Sequence, residues 1–408
     1  MSASLSSNRN WKVLWTSGLL GNLGANVSIF ALPLYVFHVT GSIRVSGITS
    51  TLGLICGLLV QVFAGAIVDR RQLGHFLVVL SLLRSVIWVA ALGAAWLWDD
   101  LWWLLLIAYV IGTGSQSAIN AASSAAVRQI VPPDLRSKAI AQNQVRSAAA
   151  RLIAPPIGAS LFIAHPLLPF IAEAVCFSLA AIVAGWLDRE AVHRILAPTK
   201  ATRFLQTVAE GYRYAWSSTF IRAVIVFGLF GNFAIAVVYQ STTLILVDRG
   251  SDPFLVSGVG VSIGATTLVF SAAASWLSSR LRRRPLIVMS VSTFSLGAVG
   301  LGFIDASPVV AIVGCILVAT SVPGLTAYIG GRLSASAPPE MMGRVMAATG
   351  LSSGLLAPLA PMFASSVAVP FTPWITVGAT VVLFVVGCGF LFFAKPPSHD
   401  VGDGNVAE

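Results

Sequence analysis

Twelve long apolar runs, joined by short polar connections, follow one another along the chain, and this serial pattern restricts the fold more than any other feature. They fall at 13–37, 45–68, 76–97, 102–126, 139–163, 167–187, 220–247, 255–279, 285–303, 308–331, 344–367 and 373–394. A helix needs about 20 apolar residues to cross the hydrocarbon core of a bilayer, and each run supplies that length. Lipid offers no partners to backbone polar groups, so only helices or closed barrels can span it, and barrel strands would be shorter and alternating. The chain therefore reads as an all-α polytopic membrane protein with twelve transmembrane helices. Composition agrees: with 56% hydrophobic and 10% charged residues, it is too apolar for a disordered chain and too poor in charge to cover a soluble globule. The first run, behind Arg9 and Lys12, is too long for a signal-peptide core and is expected to remain as the first helix.

Orientation follows from the basic residues. Twenty Lys and Arg fall in alternate connections and at the ends, including Arg70, Arg71, Arg128, Arg136, Arg189, Arg203 and Arg280, whereas the other side holds only Arg44 and Arg249. The positive-inside rule then predicts that both termini and the central loop lie in the cytoplasm. The net charge of +10 is thus topology, with anionic lipid as a secondary partner and no nucleic acid implied.

The chain repeats itself. Gly18-Leu19-Leu20-Gly21-Asn22 recurs as Gly228-Leu229-Phe230-Gly231-Asn232, 210 residues on, and Val45-Ser46-Gly47 recurs as Val256-Ser257-Gly258, 211 on. Pro132-Pro133-Asp134 is matched by Pro338-Pro339-Glu340, and Pro155 by Pro361, at an offset of 206. Such a series predicts two six-helix pseudo-repeats of the same topology. The expected organisation is a first half over 1–187, a central loop over 188–219, a second half over 220–395 and a disordered tail over 396–408. Within the loop, Phe204, Leu205, Val208 and Tyr212 have helical spacing, which suggests an interfacial amphipathic helix.

Soluble-enzyme chemistry finds no support. The sequence has no P-loop, its five histidines are scattered, and its four cysteines lie in separate apolar runs, so no cofactor and no metal are expected.

The turn after the second run reads Gly65-Ala66-Ile67-Val68-Asp69-Arg70-Arg71. It resembles the G-x-x-x-D-R signature of the major facilitator superfamily, in the place where that family carries it. The resemblance implies the twelve-helix major facilitator fold and a gating role for Gly65, Asp69, Arg70 and Arg71, with Asp69 docking near Gly343 and Arg344. Arg128 to Gly158, Glu173-Ala174-Val175-Cys176-Phe177-Ser178 and Glu210-Gly211-Tyr212-Arg213-Tyr214-Ala215-Trp216 resemble the transmembrane secretion effector branch, which includes enterobactin exporters and macrolide efflux proteins. That branch implies export of a small molecule. Pro155 and Gly158 resemble the antiporter motif of the fifth helix, or serve as a packing kink.

Polar residues inside the spans are the remaining candidates. Glu173 is the one carboxylate well inside a run, either as a proton carrier, as partner to an arginine such as Arg84 or Arg146, or as an acid near enough to the external surface to hydrate. Asn22 and Asn26, Gln116 and Asn120, and Asn232 and Tyr239 share helix faces that could line a substrate cavity or join helices. Arg84 and Arg146 are cavity candidates too, binding an anionic substrate, pairing with Glu173 or snorkelling to the membrane surface. The expected function is proton-coupled efflux of an amphipathic drug, siderophore or secondary metabolite by a monomer. A proton-linked importer and a non-transporting membrane sensor are the alternatives.

Overall fold

A computed structural model of the chain describes residues 5, 8–68, 72–188, 209–216, 218–336 and 339–394. Six helices form the first half: α1 (Arg9–Thr40), α2 (Ile43–Val68), α3 (Leu73–Leu97), α4 (Trp103–Ile130), α5 (Arg136–Ala164) and α6 (Leu168–Ala184). The second half comprises α7 (Thr219–Asp248), α8 (Pro253–Arg280), α9 (Arg283–Gly302), α10 (Pro308–Thr320, resumed as Pro323–Ser336), α11 (Pro339–Leu355, continuing irregularly to Ala368) and α12 (Pro373–Phe393). Eleven of these are long and apolar enough to cross a membrane, and Leu168–Ala184 is a shorter apolar helix, which makes up the expected twelve. Helices outlast the apolar runs that announce them: α4 continues to Ile130 because its last turn is polar yet still helical. In α11, Pro358 and Pro361 remove backbone donors, and the helix passes through a 3-10 turn at Ala357–Leu359 and a π turn at Ala364–Ala368.

The helices are sided in the sense lipid requires. On α3 the buried residues are Leu77, Ser81, Arg84, Ser85, Trp88 and Ala91, while Val79, Leu82, Leu83, Val86 and Val89 are exposed. Polar groups face the protein and branched aliphatics face outward, so the outer surface needs a hydrocarbon solvent. On α6 the same division buries Glu173, Ala174 and Phe177 and exposes Ile171, Val175 and Leu179.

The two halves pack alike. α1 lies against α5 and α6, α2 against α4, and α3 against α4 and α6; in the second half α7 lies against α11 and α12, α8 against α10, and α9 against α10 and α12. The duplication reaches the turns. Gly41, which caps α1, and Gly250, after α7, both have φ 62, and only a residue without Cβ takes that left-handed conformation cheaply.

The halves meet along α5 with α8 and along α2 with α11. Pro155 of α5 lies against Gly260 of α8, and Leu152 lies against Gly264. In the duplicate seam, Gly47 of α2 lies against Ser365 and the carbonyl of Pro361 in α11, and the Met362 amide donates to Thr51 Oγ1 at 3.0 Å. These contacts sit in the helix halves remote from the arginine-rich connections. Small residues are required there because the backbones approach too closely for a side chain between them.

Candidate functional site

The polar centre of the first half is built on α3, α4 and α6. Arg84 and Glu173 occupy the inward faces of α3 and α6, at 4% and 0% exposure. Arg84 donates to Glu173 Oε1 from Nε at 2.7 Å and from Nη2 at 2.5 Å. Glu173 Oε2 is buried with no hydrogen-bond partner. The guanidinium lies 4.1 Å above the Phe177 ring centre, and Gly112 of α4 leaves room beside it. Gly24 brings α1 against Glu173 and Cys176 on α6, which completes the enclosure. Ser85 ties the same helices together: its hydroxyl donates to the Ala174 carbonyl at 3.0 Å and shares a 2.7 Å hydrogen bond with Ser178.

The third guanidinium nitrogen, Nη1, donates to Gln116 Oε1 at 3.0 Å, and Gln116 Nε2 donates to Asn120 Oδ1 at 3.0 Å. Arginine can only donate, so the Gln116 oxygen must face it, and the Gln116 amide nitrogen must then face the Asn120 oxygen. Asn120 is exposed and is left presenting its own amide nitrogen. A directional chain therefore runs from the buried carboxylate to an accessible donor.

Arg146 of α5 is the other buried cation, at 7% exposure. Its guanidinium lies against Gly18 of α1, where a methyl group would collide with it, and Nη1 donates to the Trp15 carbonyl at 3.2 Å. Nε has no partner. Arg146 shares a polar pocket with Asn22, Ser81, Gln116, Asn120, Ser123 and Phe177. The structure thus unites Arg84, Gln116, Asn120, Arg146, Asn22 and Glu173 in one region.

Other expected site residues lie apart from it. Asn232 and Tyr239 belong to α7, where Tyr239 donates to the Cys315 carbonyl of α10 at 3.4 Å. Asn22 and Asn232 each donate to the carbonyl four residues back, Gly18 and Gly228, at 2.8 and 2.9 Å, and Asn26 does the same to Asn22 at 2.7 Å. The duplicated asparagines therefore serve their own helices first. Pro155 lies in the seam between halves, while Gly158 packs against Val27 and Phe30 of α1 within the first half. Gly65 is in α2; Asp69, Arg70 and Arg71 lie outside the described residues, as do Phe204, Leu205 and Val208 of the expected amphipathic helix, whereas its part at 209–216 is helical and Tyr212 shares a 2.6 Å hydrogen bond with Ser352 of α11. Arg344, expected near the Asp69 dock, pairs with Glu210 at 2.8 Å. Gly18, Ser85 and Gly112 are site residues that sequence reasoning missed. The duplicated glycine motif signalled the first, and nothing local signalled the other two.

A separate apolar cleft of about 790 Å³ runs between α7 and α12, beside Leu229, Phe390 and Phe393, with Arg222 on its wall. Among the described residues, no group of three or more His, Cys, Asp or Glu could hold a metal ion.

Residues 14–361 match the family described as the Major Facilitator Superfamily. No curated relative matches the chain. Among solved structures, a bacterial homologue of the iron transporter ferroportin, in an inward-facing state, is 17% identical, with 96% of this chain and 99% of that one covered and a TM-score of 0.67. The peptide transporter POT is 14% identical over 96% of this chain and 95% of its own, with a TM-score of 0.63. The human organic anion transporter MFSD10 is 16% identical over 94% and 99%, with a TM-score of 0.62. At these identities the likeness is one of fold.

Proposed function

Because the chain belongs to the major facilitator superfamily, we propose that it is a secondary transporter that exports an amphipathic small molecule, such as a drug, siderophore or secondary metabolite, in exchange for protons. It works as a monomer in the bacterial inner membrane with both termini in the cytoplasm, in keeping with the arginine-rich connections. The two halves rock about the α5–α8 and α2–α11 seams, and the turn of Gly65, Asp69, Arg70 and Arg71 gates the cytoplasmic side, as the family resemblance implies. Direction rests on the secretion-effector resemblance of Arg128 to Gly158 and of Glu210 to Trp216.

The observation that carries proton coupling is the Arg84–Glu173 pair. The equivalent interface of the second half, α9 with α12, is closed by Phe294 stacked on Phe384, with ring centres 4.0 Å apart and 4° between planes. Aromatic packing serves this position in the fold, and buried ion pairs generally give no stability that apolar packing cannot match. The charges in the first half therefore support a functional role. A proton taken up at Glu173 Oε2 stays there, neutralises the carboxylate and loosens Arg84, and the hydrogen bonds from Arg84 to Gln116 and from Gln116 to Asn120 pass that loosening to the accessible side. Each proton crossing inward releases about 2.3 kcal/mol per 100 mV of membrane potential.

The test is dye accumulation in everted membrane vesicles energised by respiration, with ethidium and Hoechst 33342 as probes. The reading expects accumulation that a protonophore abolishes. Uptake in right-side-out vesicles alone would instead establish the importer, and accumulation indifferent to the protonophore would remove proton coupling.

A further inference from the structure

The Arg84–Glu173 pair accounts for one buried cation but leaves Arg146 unexplained. Arg146 has a single hydrogen bond, to a backbone carbonyl, and among the described residues no carboxylate pairs with it. A guanidinium removed from water without a counter-ion is strongly disfavoured, so its place must be compensated. Packing does not require it. Gly228, the repeat partner of Gly18, is faced by the Ser353 hydroxyl instead, so the same α1–α5 type of contact is made in α7–α11 without charge.

We propose that Arg146 and Asn120 form a subsite for a single small monoanionic group: the carboxylate of a transported molecule or a halide. The donors line one pocket. Arg146 Nε is free, and the hydrogen-bond direction set by Arg84 leaves the Asn120 amide nitrogen as a donor, with the Ser81 and Ser123 hydroxyls on the same walls. The cavity is small, about 10 Å³, which suits a compact group such as a carboxylate or a chloride. Its rim at Asn120 is exposed, so the anion can enter while the rest of the molecule stays outside. Glu173 and the anion are then linked through Arg84, Gln116 and Asn120. This assignment rests on the transport reading for its purpose, and not for its test.

The test is equilibrium binding to the purified full-length protein in detergent, in a buffer whose only inorganic anion is sulfate. Benzoate and chloride are titrated separately and together while the thermal unfolding midpoint and tryptophan fluorescence are followed. The expected result is a saturable rise in the midpoint of several degrees with benzoate, weakened at least tenfold in Arg146→Gln. Gly18→Ala, which keeps the charge but displaces the guanidinium, should weaken binding similarly, and Arg151→Gln, an exposed position on the same helix, should not. Benzoate binding that chloride does not compete identifies a substrate carboxylate; chloride binding alone identifies a resident halide. Identical titrations of the parent, Arg146→Gln and Gly18→Ala, or no saturable effect of either probe, overturn the site. A parent that binds benzoate but carries neither benzoate nor dye across energised vesicles retains this site and refutes the transport reading.

Discussion

Arg84 spends two of its donors on one oxygen of Glu173 and leaves the other oxygen, Oε2, buried and unpartnered. Ion pairs built for stability usually satisfy both carboxylate oxygens, because a buried acceptor without a donor costs about 1–3 kcal/mol. The asymmetry leaves one position at which a proton can be added without first breaking a hydrogen bond. It also separates two properties that mutation can measure independently, stability and coupling.

Arg84→Leu or Glu173→Leu alone strands a buried charge and should lower stability by about 3–5 kcal/mol. The double variant should recover most of that loss, since two leucines fill the α3–α6 contact much as Phe294 and Phe384 fill the α9–α12 contact. Thermal unfolding of the three purified variants gives the comparison. Recovery of the melting temperature without recovery of dye transport is the expected pattern.

The seam can be locked. Thr51 and Met362 are joined across the halves by a 3.0 Å hydrogen bond, so cysteines at both positions, in a background without the native four, should cross-link under mild oxidation. Gel mobility after cleavage of the central loop reports the cross-link. Transport should stop on oxidation and return on reduction, as expected of a seam that must open in each cycle.

Much of this organisation was legible along the chain. Apolar length marks each membrane-spanning helix, and the glycine-asparagine, Val-Ser-Gly and double-proline repeats mark the two halves. Glu173 and Arg84 stood out because charges are costly in lipid. Their pairing was one of several open choices, since 89 residues separate them and no local pattern encodes which face of α3 meets α6. The role of Gly18 was hidden for the same reason: a glycine in an apolar run reads as packing, and only the fold shows a guanidinium resting on it. Pro155 was legible as a special position in α5, but its partner, Gly260 of α8, required the tertiary arrangement.

The segment before α7 offers a contrast between backbone fit and charge. Gly211 lies so close to the Arg344 carbonyl that a Cβ would overlap it, whereas the Glu210–Arg344 pair is roughly half exposed. Gly211→Val should therefore lower the melting temperature clearly. Glu210→Gln should change stability by less than about 1 kcal/mol, the usual worth of an exposed ion pair. Thermal unfolding of both variants, side by side, checks the ordering.

The most direct test of the central claim, that the buried carboxylate of the first half couples protons to transport, is proton-driven ethidium accumulation in everted vesicles by Glu173→Gln at matched expression. The account predicts accumulation reduced to the level of vesicles without the protein, with the variant still eluting as a folded monodisperse species. Accumulation equal to that of the parent, with the same sensitivity to protonophore, would contradict it.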